Sequence, residues 1–238
     1  MKAMIFAAGL GTRFKPWTDK HPKALAQVKG KSLLQRNVEY LQQAGISDVI
    51  VNVHHFPEQI RDVLNEQNGW GSRIHISDES GEVLETGGGL LKAKELFTPG
   101  EDFVTINVDI LTSLDLNEMI DYHRQKKAVV TLAVTDRATS RCFVFDENER
   151  LAGWRNVQTG EEKLRRPGYV LHNRAFSGIS VFSYEFFNHL QLTGKFSLVD
   201  AYLALAAEHP IFGFNHTGDK WVDVGRPESV STAEQLFA

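Results

Sequence analysis

The chain has 238 residues, with 26 Lys and Arg against 30 Asp and Glu, for a formal charge of −4. Its 42% hydrophobic and 10% aromatic content can bury a core, which excludes wholesale disorder; the single Cys142 excludes an internal disulfide framework and a Cys-rich zinc site. Charge is unevenly spread, since Lys2, Arg13, Lys15, Lys20, Lys23, Lys29 and Lys31 meet only Asp19 in the first 31 residues, a local +6 on a body of −10.

The first expected strand is Lys2 to Ala8, followed by a glycine-containing loop from Gly9 to Pro16. Ser32 is placed to cap a helix running to Ala44, because Leu33, Leu34, Val38 and Leu41 recur at helical spacing and Gly45 supplies a stop. Asp48 to Val53 reads as a strand, Pro57 to about Gln67 as a helix, and Arg73 to Ser77 as a strand. The segment Leu84 to Gly89 reads as a loop leading into a helix that ends near Phe97. Phe103 to Val108 is a strand with Asp109 at its C-terminal end. Leu116 to Lys127 is an amphipathic helix, followed by a strand from Val129 to Val134. Strands alternating with helices of this length predict βαβ units and a mostly parallel sheet.

Beyond residue 135 the texture changes. Cys142 to Trp154 pairs short β-prone pieces around a turn at Asp146–Arg150, and Glu161 to Arg166 reads as a charged, exposed excursion. Phe176 to Phe182 is strand-like, Leu198 to Ala207 helical, and Pro227 to Phe237 a closing helix after a Trp221–Gly225 strand and turn. The expectation is one domain over 1–238, an α/β fold with a β-rich insertion. No apolar run approaches the roughly 20 residues that cross a bilayer, and the opening apolar stretch breaks after about six, too short for a signal peptide. A cytoplasmic protein without membrane contact is expected. A duplex binder carries its basic footprint over most of a domain, so nucleic acid is not an expected partner. The basic head reads instead as one focused anion site, or else as a chance cluster on a solvated face.

Three constellations could carry chemistry. The first is Ala8-Gly9-Leu10-Gly11-Thr12-Arg13, with Pro16 and then Pro22-Lys23 behind it. A glycine turn after a parallel strand can present N–H groups to an anion, Arg13 offers a planar fork and Lys23 a mobile point charge. A Walker A loop is absent, and the dinucleotide fingerprint fails where Phe14 stands in place of its third glycine. The second is Glu85-Thr86-Gly87-Gly88-Gly89, where three glycines at an entropic cost suggest close approach to the main chain. The third is a pair of carboxylates. Asp109 shares a strand face with Asn107, and Asp223 with Trp221; two such oxygens plus phosphates and water suit Mg²⁺. Each Asp could equally be a cap or a salt-bridge partner. The adjacent His54 and His55 face opposite ways and do not suggest a metal site, and Ser197 beside Asp200 suggests a helix cap without the usual Glu.

Taken in order, the GLGTR loop, Pro22-Lys23-Ala24-Leu25, the LETGGG segment, the Asn107-Val108-Asp109 strand end and Trp221-Val222-Asp223-Val224-Gly225 resemble the sugar-phosphate nucleotidyltransferase family over nearly the whole chain. That resemblance implies a three-layer α/β/α Rossmann-like core. It also implies a reaction that joins a nucleoside triphosphate to a sugar 1-phosphate and releases pyrophosphate. Residues 1–135 would be mainly the nucleotide-binding half and 136–238 mainly the sugar-phosphate-binding half. The resemblance assigns Ala7, Ala8 and Gly9 to the nucleotide, and Gly11, Thr12 and Arg13 to its phosphates. Lys23 falls near the reacting phosphates, and Glu85, Thr86, Gly87 and Gly88 near the base and ribose. Asp109 and Asp223 become the Mg²⁺ ligands, with Arg13 and Lys23 completing the catalytic set. Asn107 and Gly178, the latter in a strand bordering the sugar pocket, fall on the acceptor side.

The LETGGG form and the short length most resemble uridylyl-transferring members; guanylyl, cytidylyl or thymidylyl transfer, or a phosphocholine acceptor, are the alternatives. Val108 stands where glycine is common, and the region from Arg155 to Asn173 matches no sugar-binding signature. The length leaves no room for the β-helix or acyltransferase domain of longer members. A non-catalytic nucleotide-sugar sensor would keep the loops but could lack metal dependence, against which the presence of both Asp109 and Asp223 argues, and an NAD-dependent oxidoreductase would need the missing glycine. A monomer or small homo-oligomer is expected.

Overall fold

The computed structural model describes residues 1–237, so the last residue of the expected 1–238 span lies outside the described residues. In chain order the elements are β1 (Lys2–Phe6), the small hairpin β2 (Gln27–Val28) and β3 (Lys31–Ser32), and α1 (Leu33–Gln43). Then come β4 (Asp48–Val53), α2 (Pro57–Glu66), β5 (Arg73–Asp78), α3 (Glu85–Lys92), β6 (Phe103–Asn107), β7 (Ile110–Thr112), α4 (Leu116–Lys126) and β8 (Val130–Thr135). The second half holds β9 (Arg141–Phe145), β10 (Leu151–Asn156), β11 (Glu162–Leu164), β12 (His172–Phe182), α5 (Glu185–His189), α6 (Leu198–Leu205), β13 (Ile211–Asn215), β14 (Trp221–Asp223) and α7 (Glu228–Leu236).

Alternation along the central strands explains the layers. Ala3, Ile5, Val49 and Val51 point to one face, where Leu34, Val38 and Leu41 of α1, Ile60 of α2 and Met119 of α4 cover them. Met4, Phe6 and Ile50 point to the other, under Leu90 of α3, Phe186 and Phe187 of α5 and Tyr202 of α6. Two apolar cores on opposite faces of one sheet make the fold a three-layer α/β/α sandwich. Ser32 caps α1 by accepting from the Gln35 amide at 3.0 Å, where its spacing predicts it. Asp115 caps α4, accepting from the amides of Asn117 and Glu118.

The sheet runs parallel through β5-β4-β1-β6, in the β1-centred order that leaves strand C-termini along one edge. At β12 it changes sense: β12 lies antiparallel to β6, β8 and β9, while β13 runs parallel to β8. The sheet is therefore mixed: it is continuously parallel through β5-β4-β1-β6, and of the remaining pairs only β8 with β13 is parallel. β12 is also longer than the expected Phe176–Phe182 segment, beginning at His172, because its first residues pair with β9 of the insertion. The insertion itself is β9, β10 and β11 with the start of β12. The charged Glu161–Arg166 excursion contributes β11 as its edge strand, exposed as expected but paired to β10. Between Phe176 and Ser180 the register against β8 shifts, and Gly178 sits in this bulge at φ +81.

Candidate active site

The loop after β1 is built on a buried side chain of its neighbour. Asn52, 2% exposed on β4, accepts from the amides of Ala7 and Ala8 at 2.7 and 3.3 Å through Oδ1, and its Nδ2 donates to Glu79 Oε1 at 2.7 Å. Burial pushes the Glu79 carboxyl above its ordinary range, with Asn52 and the Leu84 amide acting the other way. Downstream, Gly11 adopts φ +59, and a Cβ there would lie 2.8 Å from Thr18 Cγ2, so both conformation and space require glycine. Its carbonyl accepts from Thr18 Oγ1 at 2.9 Å and from the Phe14 amide at 2.8 Å, while His55 bonds the Thr18 carbonyl at 2.9 Å. His54 instead bonds the Glu79 carbonyl, so the two histidines do diverge.

Cations and acids meet at the strand ends. Lys23 is buried in a 3₁₀ turn and its Nζ donates to Asp109 Oδ2. The Asn107–Ile110 turn is held from beneath, because Asn37 Nδ2 donates to the Val108 carbonyl at 2.9 Å. β14 pairs with β7 so that Asp223 faces Ile110, and the Val224 amide donates to the Asp109 carbonyl at 2.8 Å. That pairing sets the two acids beside each other. Asp223 Oδ1 is buried without a hydrogen-bond partner. Burial and then the Asp109 charge push the Asp223 carboxyl above its ordinary range, while Lys23, Arg13 and the Gly225 amide oppose the shift. Arg13 is exposed and reaches over Gly225: a Cβ on that glycine would lie 3.0 Å from Arg13 Nη2 and 2.6 Å from Asp223 Oδ1.

Among the described residues no three His, Cys, Asp or Glu side chains converge as a metal cluster. Two carboxylates do sit together, and the orphaned buried oxygen of Asp223 is the kind a cation satisfies. Mg²⁺ commonly takes one or two carboxylates and completes its shell with water and substrate phosphates, so the donor set fits that ion better than a metal caged by protein alone.

The glycine segment departs from its expectation. Glu85 to Gly89 is not a loop before a helix but the first part of α3 itself. The amides of Gly87 and Gly88 donate to the Phe196 carbonyl at 2.9 and 3.1 Å. Side chains at Gly87, Gly88 and Gly89 would strike the Phe196 ring at 2.3 Å, the Gly194 carbonyl at 2.3 Å and Glu79 Oε1 at 2.5 Å. What approaches these glycines is the protein's own chain. Only Thr86 reaches the cleft, and its Oγ1 also accepts from the Leu198 amide at the start of α6.

One cleft of about 440 Å³ is lined by Ala7, Gly9, Gly11, Thr12, Arg13, Lys23, Thr86, Asn107 and Asp109 among the expected residues, and by Leu10 and Gly225 besides. Ala8 lies beneath the loop on Asn52, and Asp223 lies behind Gly225. Gly178 stands beside Asn107, its absent Cβ 3.2 Å from Asn107 Nδ2. Glu85 is exposed, and Gly87 and Gly88 are buried behind Thr86; none of the three lines the cleft. Asn52, Glu79 and Thr18 are not singled out by the sequence, and Gly225 appears there only as the end of a motif. A polar Asn inside the apolar run DVIVNV was the one available signal for the first. A second hollow, of about 510 Å³, lies between α1, β7 and α7, and none of the expected site residues lines it.

The family pattern described as nucleotidyl transferase matches residues 2–238. The chain is 31% identical over 239 residues to the mannose-1-phosphate guanylyltransferase catalytic subunit beta of Xenopus tropicalis, covering all of this chain but 64% of that protein. It is also 31% identical over 245 residues to the N-acetylmuramate alpha-1-phosphate uridylyltransferase of Caulobacter vibrioides, covering 99% and 96% of the two chains. Among solved structures, HddC from Yersinia pseudotuberculosis complexed with GMP-PN superposes with a TM-score of 0.80 at 22% identity, covering 100% and 99% of the two chains. No helix of the described residues is long and apolar enough to cross a membrane.

Proposed function

This chain belongs to the nucleotidyl transferase family, and on that premise we propose that it transfers UMP from UTP to a sugar 1-phosphate, releasing pyrophosphate. The observation that carries the reading is the convergence of Lys23, Arg13, the glycine loop and Asp109 around one cleft, with Asp223 directly behind its Gly225 wall. The uridylyl assignment rests on likeness to the Caulobacter uridylyltransferase, with which this chain is nearly coextensive. Guanylyl transfer is the second reading, supported by equal identity to the amphibian guanylyltransferase. The chain spans 64% of that protein's length, so that protein's activity carries over less readily than that of the coextensive relative.

The reaction asks little of a base, because a sugar phosphate oxygen is already anionic near neutral pH. It asks for in-line positioning and for neutralisation of charge on the α-phosphorus and the departing pyrophosphate. Mg²⁺, held by Asp109 and Asp223, would supply charge neutralisation at the phosphate oxygens. Arg13, exposed above Gly225, is free to fork onto the outer phosphates. Lys23 donates to Asp109 at the edge of the cleft, where its ammonium is placed to bridge nucleotide and acceptor phosphates. Asn52 fixes the strand-to-loop turn that aims the glycine amides at the triphosphate.

The test is a screen of four ribonucleoside triphosphates and dTTP against mannose, glucose and N-acetylmuramate 1-phosphates, read by pyrophosphate release with Mg²⁺. UTP is expected to give the highest kcat/KM. Lys23→Ala is expected to lower kcat by at least about tenfold, the scale of one lost charge-stabilising contact, and Asp223→Ala to abolish Mg²⁺-dependent turnover. Near-normal rates in both variants would overturn the assignment.

A further inference from the structure

Beside Asp223 lies an arginine that the roles above leave unused. Arg137 follows β8 and is half-buried. Its guanidinium sits over the Trp221 ring, 4.0 Å from the centroid, and its Nη2 donates to the Phe176 carbonyl at 2.5 Å. Its Nε is buried without a partner. Asp223 is the acid whose charge acts on it, yet the two form no direct ion pair among the described residues. Burial pulls this guanidinium below its ordinary pKa. The fold thus holds a cation that it desolvates and leaves without a paired anion, an expensive arrangement unless a ligand brings the counter-charge.

The surroundings say which ligand. Trp221 lies two residues before Asp223 on the same face of β14, and its Nε1 donates to the Ser177 carbonyl at 3.0 Å. Ser177 Oγ in turn bonds His216 Nε2 at 2.7 Å, and His216 Nδ1 lies 3.4 Å from the Asp219 carboxylate. Arg137 and Trp221 therefore grip two successive carbonyls of the β12 bulge, whose Gly178 stands against Asn107. The cations divide accordingly. Lys23 is on Asp109, Arg13 stands over Gly225 beside the glycine loop, and Arg137 is the remaining cation acting near Asp223.

Resting on the transferase reading, we propose that Arg137 is the receptor for the acceptor's phosphate, a sugar phosphomonoester, with the Trp221 ring as the platform that holds its guanidinium plane. A phosphomonoester dianion matches a planar, permanently charged fork better than a mobile ammonium. Stacking on the indole limits the rotamer entropy lost on binding. Placement beside Asp223 would bring the acceptor oxygen next to the carboxylates that would hold Mg²⁺.

The test is calorimetric titration of the full chain with inorganic phosphate and with mannose, glucose and N-acetylmuramate 1-phosphates, followed by initial rates. Arg137→Gln is expected to weaken the best-binding phosphate ester by ~10- to 100-fold, the loss of one or two charge-assisted hydrogen bonds, while UTP affinity stays within about twofold. Arg137→Lys should recover part of that loss, because it keeps the charge but not the fork. Thermal unfolding of both variants checks the brace on β12. Equal loss of UTP and phosphate-ester binding would reduce Arg137 to a structural brace and overturn the proposal, as would unchanged ester binding in Arg137→Gln. A wild-type chain that binds esters through Arg137 yet transfers nothing would sink the transferase reading and leave the receptor standing. A wild type that transfers, with an unchanged acceptor KM in Arg137→Gln, would sink the receptor alone.

Discussion

Asn52 organises the glycine loop after β1 from below. Its one oxygen receives two successive amides, and its nitrogen satisfies a buried acid that has few other partners. Asn52→Ala removes all three bonds and leaves Glu79 and two amides poorly satisfied in a buried place. Orphaned buried polar groups cost about 1–3 kcal/mol each, so a loss of about 2–4 kcal/mol is expected in urea unfolding, together with a several-fold rise in the KM for the nucleotide. Unchanged stability with an unchanged KM would mean that the loop does not depend on this anchor. The same residue shows where legibility ended. Lys23, Asp109 and Asp223 stand out in the sequence because each sits in a compact motif, and the structure brings the three segments together. Asn52 sits in a strand that otherwise reads as core, and its partners are 44 and 45 residues before it and 27 after. The three glycines of α3 were misread for a related reason. Close approach to the main chain was correctly inferred, but a single sequence does not reveal whether a ligand or Phe196 makes it.

At the scale of elements, periodicity served the first half of the chain well. α1 and α4 lie where their apolar patterns put them, α2 begins at its expected Pro57, and each buries one stripe against a sheet face. β12 was only partly readable, because its length and bulge follow from pairing with three strands rather than from its own residues. Ser197 and Asp200 form a reciprocal capping box on α6, with Asp doing the work of the usual Glu. The packing of α4 on β8 carries a pH signature. His123 is 2% exposed, its Nδ1 is 2.9 Å from Thr131 Oγ1, and burial pulls its pKa down to about 4, with Asp102 opposing. The unfolded chain, with a pKa near ~6.5, binds the proton more readily than the folded chain between those values. The contribution of His123 is therefore fully present above pH ~6.5 and lost as pH falls toward about 4, at no more than about 1.4 kcal/mol per pH unit. His216 is shifted in the same direction, whereas the raised Glu79 and Asp223 carboxyls favour acid conditions. The difference between wild type and His123→Gln isolates the effect, and urea midpoints across this window should fall more shallowly in the variant. Parallel curves would show that His123 titrates alike in both states.

For the whole molecule, the question is what the local +6 does on a chain of net −4. The structure divides those charges. Lys2 Nζ donates to the Leu96 carbonyl at 2.6 Å, Lys15 pairs with Asp19 at 2.9 Å and Lys31 with Glu39 at 2.7 Å. Arg13 and Lys23 line the cleft, and Lys20 and Lys29 remain exposed without a salt bridge among the described residues. Lys20 ends the 3₁₀ turn whose Thr18 holds Gly11, so its backbone stands close to the glycine loop. Lys29 instead sits in the β2–β3 turn, its amide 3.3 Å from Glu234 of α7. A triphosphate approaching an acidic body should therefore be steered by Lys20 more than by Lys29. Lys20→Glu is expected to lower kcat/KM for the nucleotide about two- to fivefold at ~0.01 M salt, where the screening length is ~30 Å, and to match wild type near ~1 M, where it is ~3 Å. Lys29→Glu makes the same change in net charge and serves as the control, with a smaller effect at low salt. Both variants should keep kcat, since neither residue touches the reacting phosphates in this assignment. Equal losses in the two would instead show that total charge governs encounter, and that the placement of the basic head contributes through Arg13 and Lys23 alone.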